Sequence, residues 1–226
     1  MLTALITGAN RGIGLELVRS FAADGWVVHA CCRNTEKAKK LKEVAGEVTR
    51  HRLDVTDGLR VASLARELAD EPVDVLVNNA GMYGPRIGFG ETDYDDWLEV
   101  FKTNSMAPLR MAERFVAHLA RSDRKLIVNV SSIMGSIAEN SSSGSYIYRT
   151  SKAALNMVTK GLAVDLADRG ITVMSVHPGW VQTDMGGEGA TVSPEDSVAG
   201  IRRLIDRLTP EDSGRFYRYD GEEIAW

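Results

Sequence analysis

The sequence predicts a single α/β domain over residues 1–226, a doubly wound parallel sheet of about seven strands with helices on both faces. Short apolar runs alternate with segments of helical spacing along the whole chain, which is typical of a parallel sheet covered by helices. The runs LIVNV and VMSV lack polar alternation, as expected for strands buried on both faces. A hydrophobic content of 44% over 226 residues is enough for one sizeable core.

The elements follow in order along the chain. Strands are predicted at LTALIT, WVVHACC, EVTRHRL, VDVLVN, KLIVNV, ITVMSVH and near GRFYRY. Helices are predicted at about 11–23, 35–45, 58–69, 94–119, 148–168 and 194–207. Helical spacing is clearest in the first of these, where Leu17 and Phe21 fall on one side. Three glycines in the segment 185–192 predict a mobile loop.

Composition and charge exclude several classes of protein. The net charge of −4 and the absence of a basic cluster argue against a nucleic-acid partner. No apolar stretch is long enough for a membrane helix, and MLTALITGAN lacks the basic start of a signal peptide. The adjacent Cys31 and Cys32 point to opposite faces of a strand and are expected to be free thiols in a reducing cytoplasm. We therefore predict a cytoplasmic protein with no metal site.

A glycine-rich turn, TGANRGIG, joins the first strand to the first helix. Gly8, Gly12 and Gly14 are spaced GxxxGxG, and glycines at this position let the backbone approach a pyrophosphate. The N-terminus of the helix then offers free N–H groups and the positive end of its dipole. The turn predicts a dinucleotide site, although a strand-to-helix turn can need glycine with no ligand at all.

The end of the second strand predicts which dinucleotide binds. A carboxylate there pairs with the ribose hydroxyls of NAD, but this chain has Cys32, Arg33 and Asn34. Arg33 can pair with a 2′-phosphate, and Arg11 adds a second positive charge. NADP(H) is therefore favoured over NAD(H). The alternative is that both arginines are ordinary surface residues.

The segment SYIYRTSKAALN carries two tyrosines and a lysine. Tyr148 and Lys152 are four residues apart and share a helix face, whereas Tyr146 is six residues away and is expected to precede the helix. A neighbouring ammonium group lowers the pKa of a tyrosine, which suits general acid–base catalysis. On its own, however, the YxxxK spacing also occurs by chance on solvated helices.

Taken together, the motifs resemble those of the short-chain dehydrogenase/reductase family, in its carbonyl-reductase-like and C-factor-like branch. The resemblance spans nearly the whole chain and implies a Rossmann-type fold. It rests on the glycine turn with Thr7, NNAG at 78–81, Asn104, NVSS at 129–132, Tyr148-xxx-Lys152 and PGWVQT at 178–183, in the order of the family.

The resemblance implies four catalytic residues. Tyr148 would give a proton to a carbonyl oxygen while NADPH delivers hydride, and Lys152 would hold the nicotinamide ribose. Ser132 would orient the substrate oxygen, with Ser131 as the fallback because the spacing to Tyr148 is longer than is usual in the family. Asn104 would hold a water that relays protons toward Lys152. Its alternative role is structural, at a helix kink.

The resemblance also implies the cofactor contacts. They are Gly8, Asn10, Arg11, Gly12, Ile13, Gly14, Arg33, Asp54, Val55, Asn78, Ala80, Gly81, Tyr148, Lys152, Pro178, Gly179, Val181 and Thr183. Among them, Asn78 and Gly81 would do most of the positioning beside the cofactor. Asp54 would meet the adenine amino group or, alternatively, cap the helix that begins near Thr56.

These residues predict an NADPH-dependent oxidoreductase that reduces an aldehyde or ketone. Two alternatives are a non-catalytic dinucleotide-binding regulator of C-factor type and a reductase of acyl groups on a carrier protein. Met82, Met134 and Trp180 are candidates to line an open pocket, although residues of these types more often belong to the core. Relatives pair through the helices at 94–119 and 148–168, so we expect a homodimer or homotetramer.

Overall fold

Seven strands form one sheet in the computed structural model, which describes residues 1–226. They are Thr3–Thr7 (β1), Val27–Cys32 (β2), Val48–Arg52 (β3), Val75–Asn78 (β4), Leu126–Val130 (β5), Thr172–His177 (β6) and Arg215–Arg218 (β7). Their order is β3-β2-β1-β4-β5-β6-β7, and all neighbours are parallel. The winding direction reverses between β1 and β4, which opens a crevice at the carboxyl ends of these strands. The predicted fold class is confirmed.

Helices cover both faces of the sheet. They are Gly12–Ala23 (α1), Lys39–Lys42 (α2), Gly58–Glu67 (α3), Tyr94–Phe101 (α4), Ala107–Ala120 (α5), Tyr146–Asp165 (α6) and Pro194–Arg207 (α7), with short 3₁₀ turns at Ile133–Gly135, Ala167–Arg169 and Pro210–Asp212. Apolar residues of α1 and α7 share one core cluster, and those of α3, α5 and α6 share a second. No helix combines the length and apolar character that crossing a membrane requires.

The two cysteines show how β2 divides its side chains between these cores. Cys31 packs in the cluster under α3 and α5, and Cys32 packs in the cluster under α1 and α7. Both are free and buried, as predicted. Burial raises the pKa of the Cys31 thiol far above its ordinary value, so it is an apolar packing group rather than a nucleophile.

Three predicted helices differ from the structure, at 35–45, 94–119 and 148–168. The helix expected at 35–45 is only the four residues Lys39–Lys42, because three of them are like-charged lysines and only Leu41 is buried. Its N-cap, Ala38, has no side chain that can accept a hydrogen bond. The expectation that Tyr146 precedes the catalytic helix is wrong, because α6 begins at that residue.

The long helix expected at 94–119 is interrupted. Residues Lys102–Met106 form a turn of π-helix between α4 and α5. Such turns insert one extra residue into the helical ladder and rotate the side chains that follow, often at functional sites. Asn104 lies within this turn, which agrees with the structural alternative considered for it.

Candidate active site and dinucleotide site

Side chains of β1 and β4 tie the two strands together where the crevice opens. The Thr7 hydroxyl accepts the backbone N–H groups of Asn79 and Ala80, both at 3.0 Å. The Asn79 side-chain amide donates to the carbonyls of Thr7 and Gly8, at 2.9 and 3.2 Å. Asn79 therefore anchors the glycine turn from the neighbouring strand. The sequence motif pointed instead to Asn78.

The Asn78 side chain points into a buried polar network. Its amide donates to the Asn129 side chain at 2.9 Å, and Asn129 donates to Thr159 at 2.9 Å. The Thr159 and Ser175 hydroxyls complete the row at 2.8 Å. This network links β4, β5, α6 and β6 beneath the site, so Asn78 supports the site through the core.

The glycine turn leaves no room for side chains. A Cβ on Gly14 would lie 2.3 Å from the Gly8 carbonyl oxygen and 2.5 Å from the Asn79 side-chain nitrogen. Gly12 has a φ of +52°, and a Cβ there would lie 3.0 Å from the Thr183 methyl group. The turn therefore lies directly against the PGWVQT segment, as one binding site would require.

The N-terminus of α1 suits an anion. Arg11 occupies the N-cap position and makes no side-chain cap, and the first turn contains no acidic residue. Helix N-terminal N–H groups left without such partners attract phosphates. Together with the glycine turn, this end of α1 fits the pyrophosphate of a dinucleotide. Asn10 is exposed here, and Ile13 is half-buried beneath it.

The two arginines predicted to bind a 2′-phosphate differ in their surroundings. Arg33 is exposed at the end of β2. Arg11, by contrast, forms an ion pair with Asp184 at 2.7 Å, and both side chains are exposed. An exposed pair of this kind contributes little and breaks easily. Arg33 is therefore the better placed of the two.

Asp54 lies beside Arg33 and does not cap a helix. Its carboxylate accepts the backbone N–H and the hydroxyl of Thr56, at 2.9 and 2.7 Å. The cap of α3 is Asp57, so the capping alternative for Asp54 is wrong. Burial on its own would raise the pKa of Asp54, but hydrogen bonds from Thr56 and the Arg33 charge hold it below its ordinary value. An ionised carboxylate can accept a hydrogen bond from an adenine amino group.

Val55 and Ala80 lie on the same side of the crevice as Asp54. Together with residues of β1, β4 and the start of α5 they line a small depression, formed by Thr7, Val55, Asn78, Ala80, Thr103, Ala107, Pro108 and Met111. Half of these residues are apolar, and the depression is too small to admit a water molecule, so it does not by itself form a pocket for a base.

Three predicted catalytic side chains meet at the end of β5. Lys152 is buried, and its ammonium donates to the Val130 carbonyl at 2.8 Å. The Lys152 nitrogen lies 5.8 Å from the centre of the Tyr148 ring, and the Ser132 side chain lies near enough to the phenol to influence its pKa. Tyr148 is buried on this face of α6, whereas Tyr146 is 41% exposed. Tyr148, and not Tyr146, is therefore the tyrosine that lies beside Lys152, and its catalytic pairing with Lys152 stays a prediction.

Burial controls the ionisation of this group. Desolvation raises the pKa of Tyr148 to about 12, with Ser132 acting weakly in the opposite direction. Desolvation also lowers the pKa of Lys152 to about 8. Burial therefore outweighs the lowering that was expected from Lys152, whose ammonium is directed at the Val130 carbonyl. At neutral pH the Tyr148 hydroxyl therefore keeps its proton.

Asn104 reaches this cluster through the backbone of the NNAG segment. Its side-chain oxygen accepts the Met82 N–H at 2.9 Å, and its amide donates to the Met82 carbonyl at 2.8 Å and to Ser151 at 2.9 Å. A Cβ on Gly81 would lie 3.3 Å from the Asn104 oxygen and 3.6 Å from the Lys152 nitrogen. Only glycine at this position leaves space between the two side chains. A water relay through that space stays a prediction.

The structure separates the two candidate serines. Ser131 is buried and donates to Asn156 at 2.7 Å, inside the core. Ser132 caps the 3₁₀ turn that follows, accepting the Met134 N–H at 3.2 Å, and lies on the Tyr148 side. The fallback to Ser131 is therefore unnecessary.

The segment at 185–192 is folded rather than irregular. The Trp180 indole donates to the Gly186 carbonyl at 2.8 Å, and Val181 pairs with Val192 in a β-bridge. A Cβ on Gly186 would overlap the Val181 carbonyl, at 2.0 Å. Gly186 and Gly189 are therefore closely packed, whereas Gly187 has a left-handed φ of +77° and open space around it. The mobility expected from the composition stays a prediction.

The remaining residues of PGWVQT shape the loop after β6. The Pro178 carbonyl accepts the Ser197 hydroxyl at 2.6 Å, and Gly179 packs on the Tyr219 ring. Val181 is buried and Thr183 half-buried, facing the glycine turn. Trp180 is 54% exposed and Met82 is 39% exposed, so neither is core.

Comparisons with known proteins agree with this geometry. The short chain dehydrogenase family model matches residues 2–191. The C-signal of Myxococcus xanthus is 44% identical over 164 residues, which are 73% of this chain and 99% of that protein. The carbonyl reductase Sniffer of D. melanogaster is 33% identical, with a TM-score of 0.94 over 100% of both chains. The NADPH-bound carbonyl reductase from chicken fatty liver is 32% identical, with a TM-score of 0.93 over 99% of this chain and 98% of that one.

Proposed function

The chain belongs to the short-chain dehydrogenase family, and we propose that it is an NADPH-dependent reductase of aldehyde or ketone carbonyl groups. The observation that carries the proposal is the buried group of Tyr148, Ser132 and Lys152 at the end of the dinucleotide crevice. Burial holds the pKa of Tyr148 at about 12, so the phenol is a proton donor at neutral pH. A reduction needs such a donor, whereas alcohol oxidation needs the phenolate.

In this proposal each side chain acts on one atom of the substrate or cofactor. A bound dihydronicotinamide supplies a hydride to the carbonyl carbon. Tyr148 gives its proton to the carbonyl oxygen as negative charge develops there, and the Ser132 hydroxyl hydrogen-bonds the same oxygen. Lys152 holds the nicotinamide ribose, while Thr183 and the backbone of Val181 hold the carboxamide. The glycine turn and the N-terminus of α1 hold the pyrophosphate.

The preference for NADPH is assigned to Arg33. It is exposed at the end of β2, and β2 itself ends without the carboxylate that would pair with the ribose hydroxyls of NAD. Arg33→Asp removes the positive charge and adds a group that pairs with those hydroxyls. We expect kcat/KM for NADPH to fall by about tenfold or more, the scale of a charge-assisted pair, and that for NADH to rise. If the ratio of kcat/KM for NADPH to that for NADH were unchanged, Arg33 would not set the cofactor preference.

The test of the reductase follows NADPH absorbance with a panel of aldehydes, diketones and quinones. Tyr148→Phe removes the proton donor and is expected to abolish turnover while NADPH still binds. Tyr146→Phe is the matched control, because it removes one hydroxyl from the exposed face of the same helix. Turnover that survives in Tyr148→Phe would contradict the assignment of the proton donor.

A non-catalytic regulator is the second candidate. The C-signal of Myxococcus xanthus, at 44% identity, is the observation that favours it. The regulator would bind NADPH and reduce no carbonyl on the panel. The complete set of Asn104, Ser132, Tyr148 and Lys152 favours the enzyme, since a pure binder does not need a proton donor.

We also propose that the chain forms a homodimer or homotetramer through its long helices. Apolar side chains remain exposed on both of them, among them Leu98, Met106, Met157 and Val164. Core packing does not explain these residues, since Met157 is 71% exposed. Met157→Glu is expected to shift sedimentation toward the monomer. Leu59→Glu is the control, because Leu59 is an exposed apolar residue of α3, and it is expected to leave the sedimentation unchanged.

A further inference from the structure

A second tyrosine covers the ring of Tyr148. Tyr83 lies in the loop after β4, and its ring stacks on that of Tyr148 with centroids 4.4 Å apart and planes inclined by 17°. Offset stacking at this distance is a favourable aromatic arrangement. Tyr83 is only half-buried, so it forms part of the wall between Tyr148 and solvent.

The Tyr83 hydroxyl makes hydrogen bonds to two segments, one beside the start of the Tyr148 helix and one beside Ser132. It lies 3.1 Å from the Ser145 hydroxyl and donates to the Met134 sulfur at 3.7 Å. Ser145 immediately precedes α6 and has a left-handed φ of +52°. Met134 belongs to the 3₁₀ turn capped by Ser132. Tyr83 therefore joins the start of the Tyr148 helix to the Ser132 turn.

Arg86 holds Tyr83 from the opposite side. Its guanidinium carbon lies 4.6 Å from the centre of the Tyr83 ring. Because Tyr148 occupies one face of that ring, the guanidinium must lie over the other. Arg86 also donates to the Met185 carbonyl at 3.2 Å, in the loop after β6. The result is a stack of Arg86, Tyr83 and Tyr148 that spans the loops after β4 and β6.

We propose that Tyr83 is a positioning residue that orients the Tyr148 phenol and shields it from water, and that Arg86 clamps Tyr83 in place. The catalytic part of this inference rests on the proposed reductase function. Small errors in the position of a proton donor cost large factors in rate, so a ring that packs on the donor and is itself held by Ser145, Met134 and Arg86 matters for turnover. A ring that merely filled space would not need hydrogen bonds to Ser145 and Met134.

The first test does not depend on activity. Tyrosinate absorbance is followed during alkaline titration, and subtraction of a Tyr148→Phe background isolates Tyr148 from the other five tyrosines. Tyr83→Ala admits water to the phenol, so its midpoint is expected to fall by about one pH unit. Tyr83→Phe keeps the stack and is expected to move the midpoint much less. A midpoint unchanged in Tyr83→Ala overturns the shielding role.

The second test measures turnover in the same variants. We expect kcat to fall by about tenfold in Tyr83→Ala, with the affinity for NADPH unchanged, because positioning rather than cofactor binding is lost. The high-pH limb of the kcat profile is expected to move to lower pH with the titration midpoint. Arg86→Met is expected to give a smaller change in the same direction, since the stack remains without its clamp.

The controls separate this inference from the proposed function. Tyr146→Ala removes an exposed tyrosine from α6 and is expected to leave both readouts unchanged. Tyr83→Leu, which is smaller than tyrosine but keeps part of its bulk, is used if Tyr83→Ala fails to fold, and its midpoint is expected to fall by less than one pH unit because it still excludes part of the water. If the wild type reduces no carbonyl, the reductase proposal fails, and the titration still decides the role of Tyr83. The inference would be refuted if Tyr83→Ala or Tyr83→Leu kept both the kcat and the Tyr148 titration midpoint of the wild type.

Discussion

Replacing Gly14 with alanine should both destabilise the protein and weaken its binding of a dinucleotide. An added Cβ would lie 2.3 Å from the Gly8 carbonyl oxygen, where ordinary contacts begin at 3.4 Å. The turn would have to open by about 1 Å, because the obstacle is backbone. That movement would also pull the Gly8 carbonyl away from the Asn79 amide that holds it.

The size of the effect follows from these contacts. Overpacking of this kind costs about 1–3 kcal/mol. Loss of the two hydrogen bonds from Asn79 to the Thr7 and Gly8 carbonyls costs about 1 kcal/mol each. The better helix propensity of alanine returns about 1 kcal/mol. We therefore expect the free energy of unfolding to fall by about 2–4 kcal/mol and the affinity for NADPH to fall by at least about tenfold.

The assay is urea unfolding followed by circular dichroism, together with fluorescence titration of NADPH. Gly161→Ala is the matched control, because Gly161 is exposed inside α6 and an added Cβ meets nothing within 4 Å. That variant is expected to be more stable by about 0.5–1 kcal/mol and to bind NADPH normally. If Gly14→Ala were as stable as the wild type, or bound NADPH as tightly, the close-approach argument would be wrong.

Three further predictions use other parts of the site and the sheet. Lys152→Met removes the ammonium that donates to the Val130 carbonyl. In the NADPH assay kcat is expected to fall by about 100-fold or more. Turnover close to that of the wild type would contradict the catalytic role of Lys152. Asn79→Ala removes the side-chain amide that donates to the Thr7 and Gly8 carbonyls, so fluorescence titration should show NADPH binding that is about tenfold weaker. An unchanged affinity would mean that the glycine turn keeps its conformation without Asn79. Burial and the neighbouring His29 lower the pKa of His51 from 6.5 to about 4, so the folded protein binds this proton less readily than the unfolded chain. Stability is therefore lost as the pH falls from about 6.5 toward 4. His51→Gln should reduce the decrease in the urea unfolding midpoint between pH 7 and pH 5. If that decrease were unchanged in the variant, groups other than His51 would be responsible for it.

Local spacing accounts for what could be predicted well. The alternation of strands and helices specified the sheet, because each apolar run is long enough to span it and most helices follow from their own periodicity. Tyr148 and Lys152 share a face because helical geometry sets the positions of residues four apart, whatever the rest of the chain does. The glycine turn was likewise visible, since its glycines lie within one short segment between a strand and a helix.

Failures of prediction occurred where distant segments meet. Asn78 and Asn79 are neighbours, and only the pairing of β4 with β1 and β5 decides which one faces the glycine turn and which the core. The contacts that Trp180 and Val181 make with Gly186 and Gly189 were likewise invisible in the sequence. Composition alone cannot distinguish glycine used for flexibility from glycine used for close contact.

The sequence by itself determined the fold class, the dinucleotide turn and the pairing of Tyr148 with Lys152, because each depends on residues close together in the chain. The tertiary structure alone decided the ionisation of that pair and its surroundings. Tyr83 and Tyr148 are far apart in sequence, yet their rings stack at 4.4 Å, and burial sets the tyrosine pKa at about 12. Desolvation is a property of the packed protein, since it depends on every segment that excludes water from the phenol.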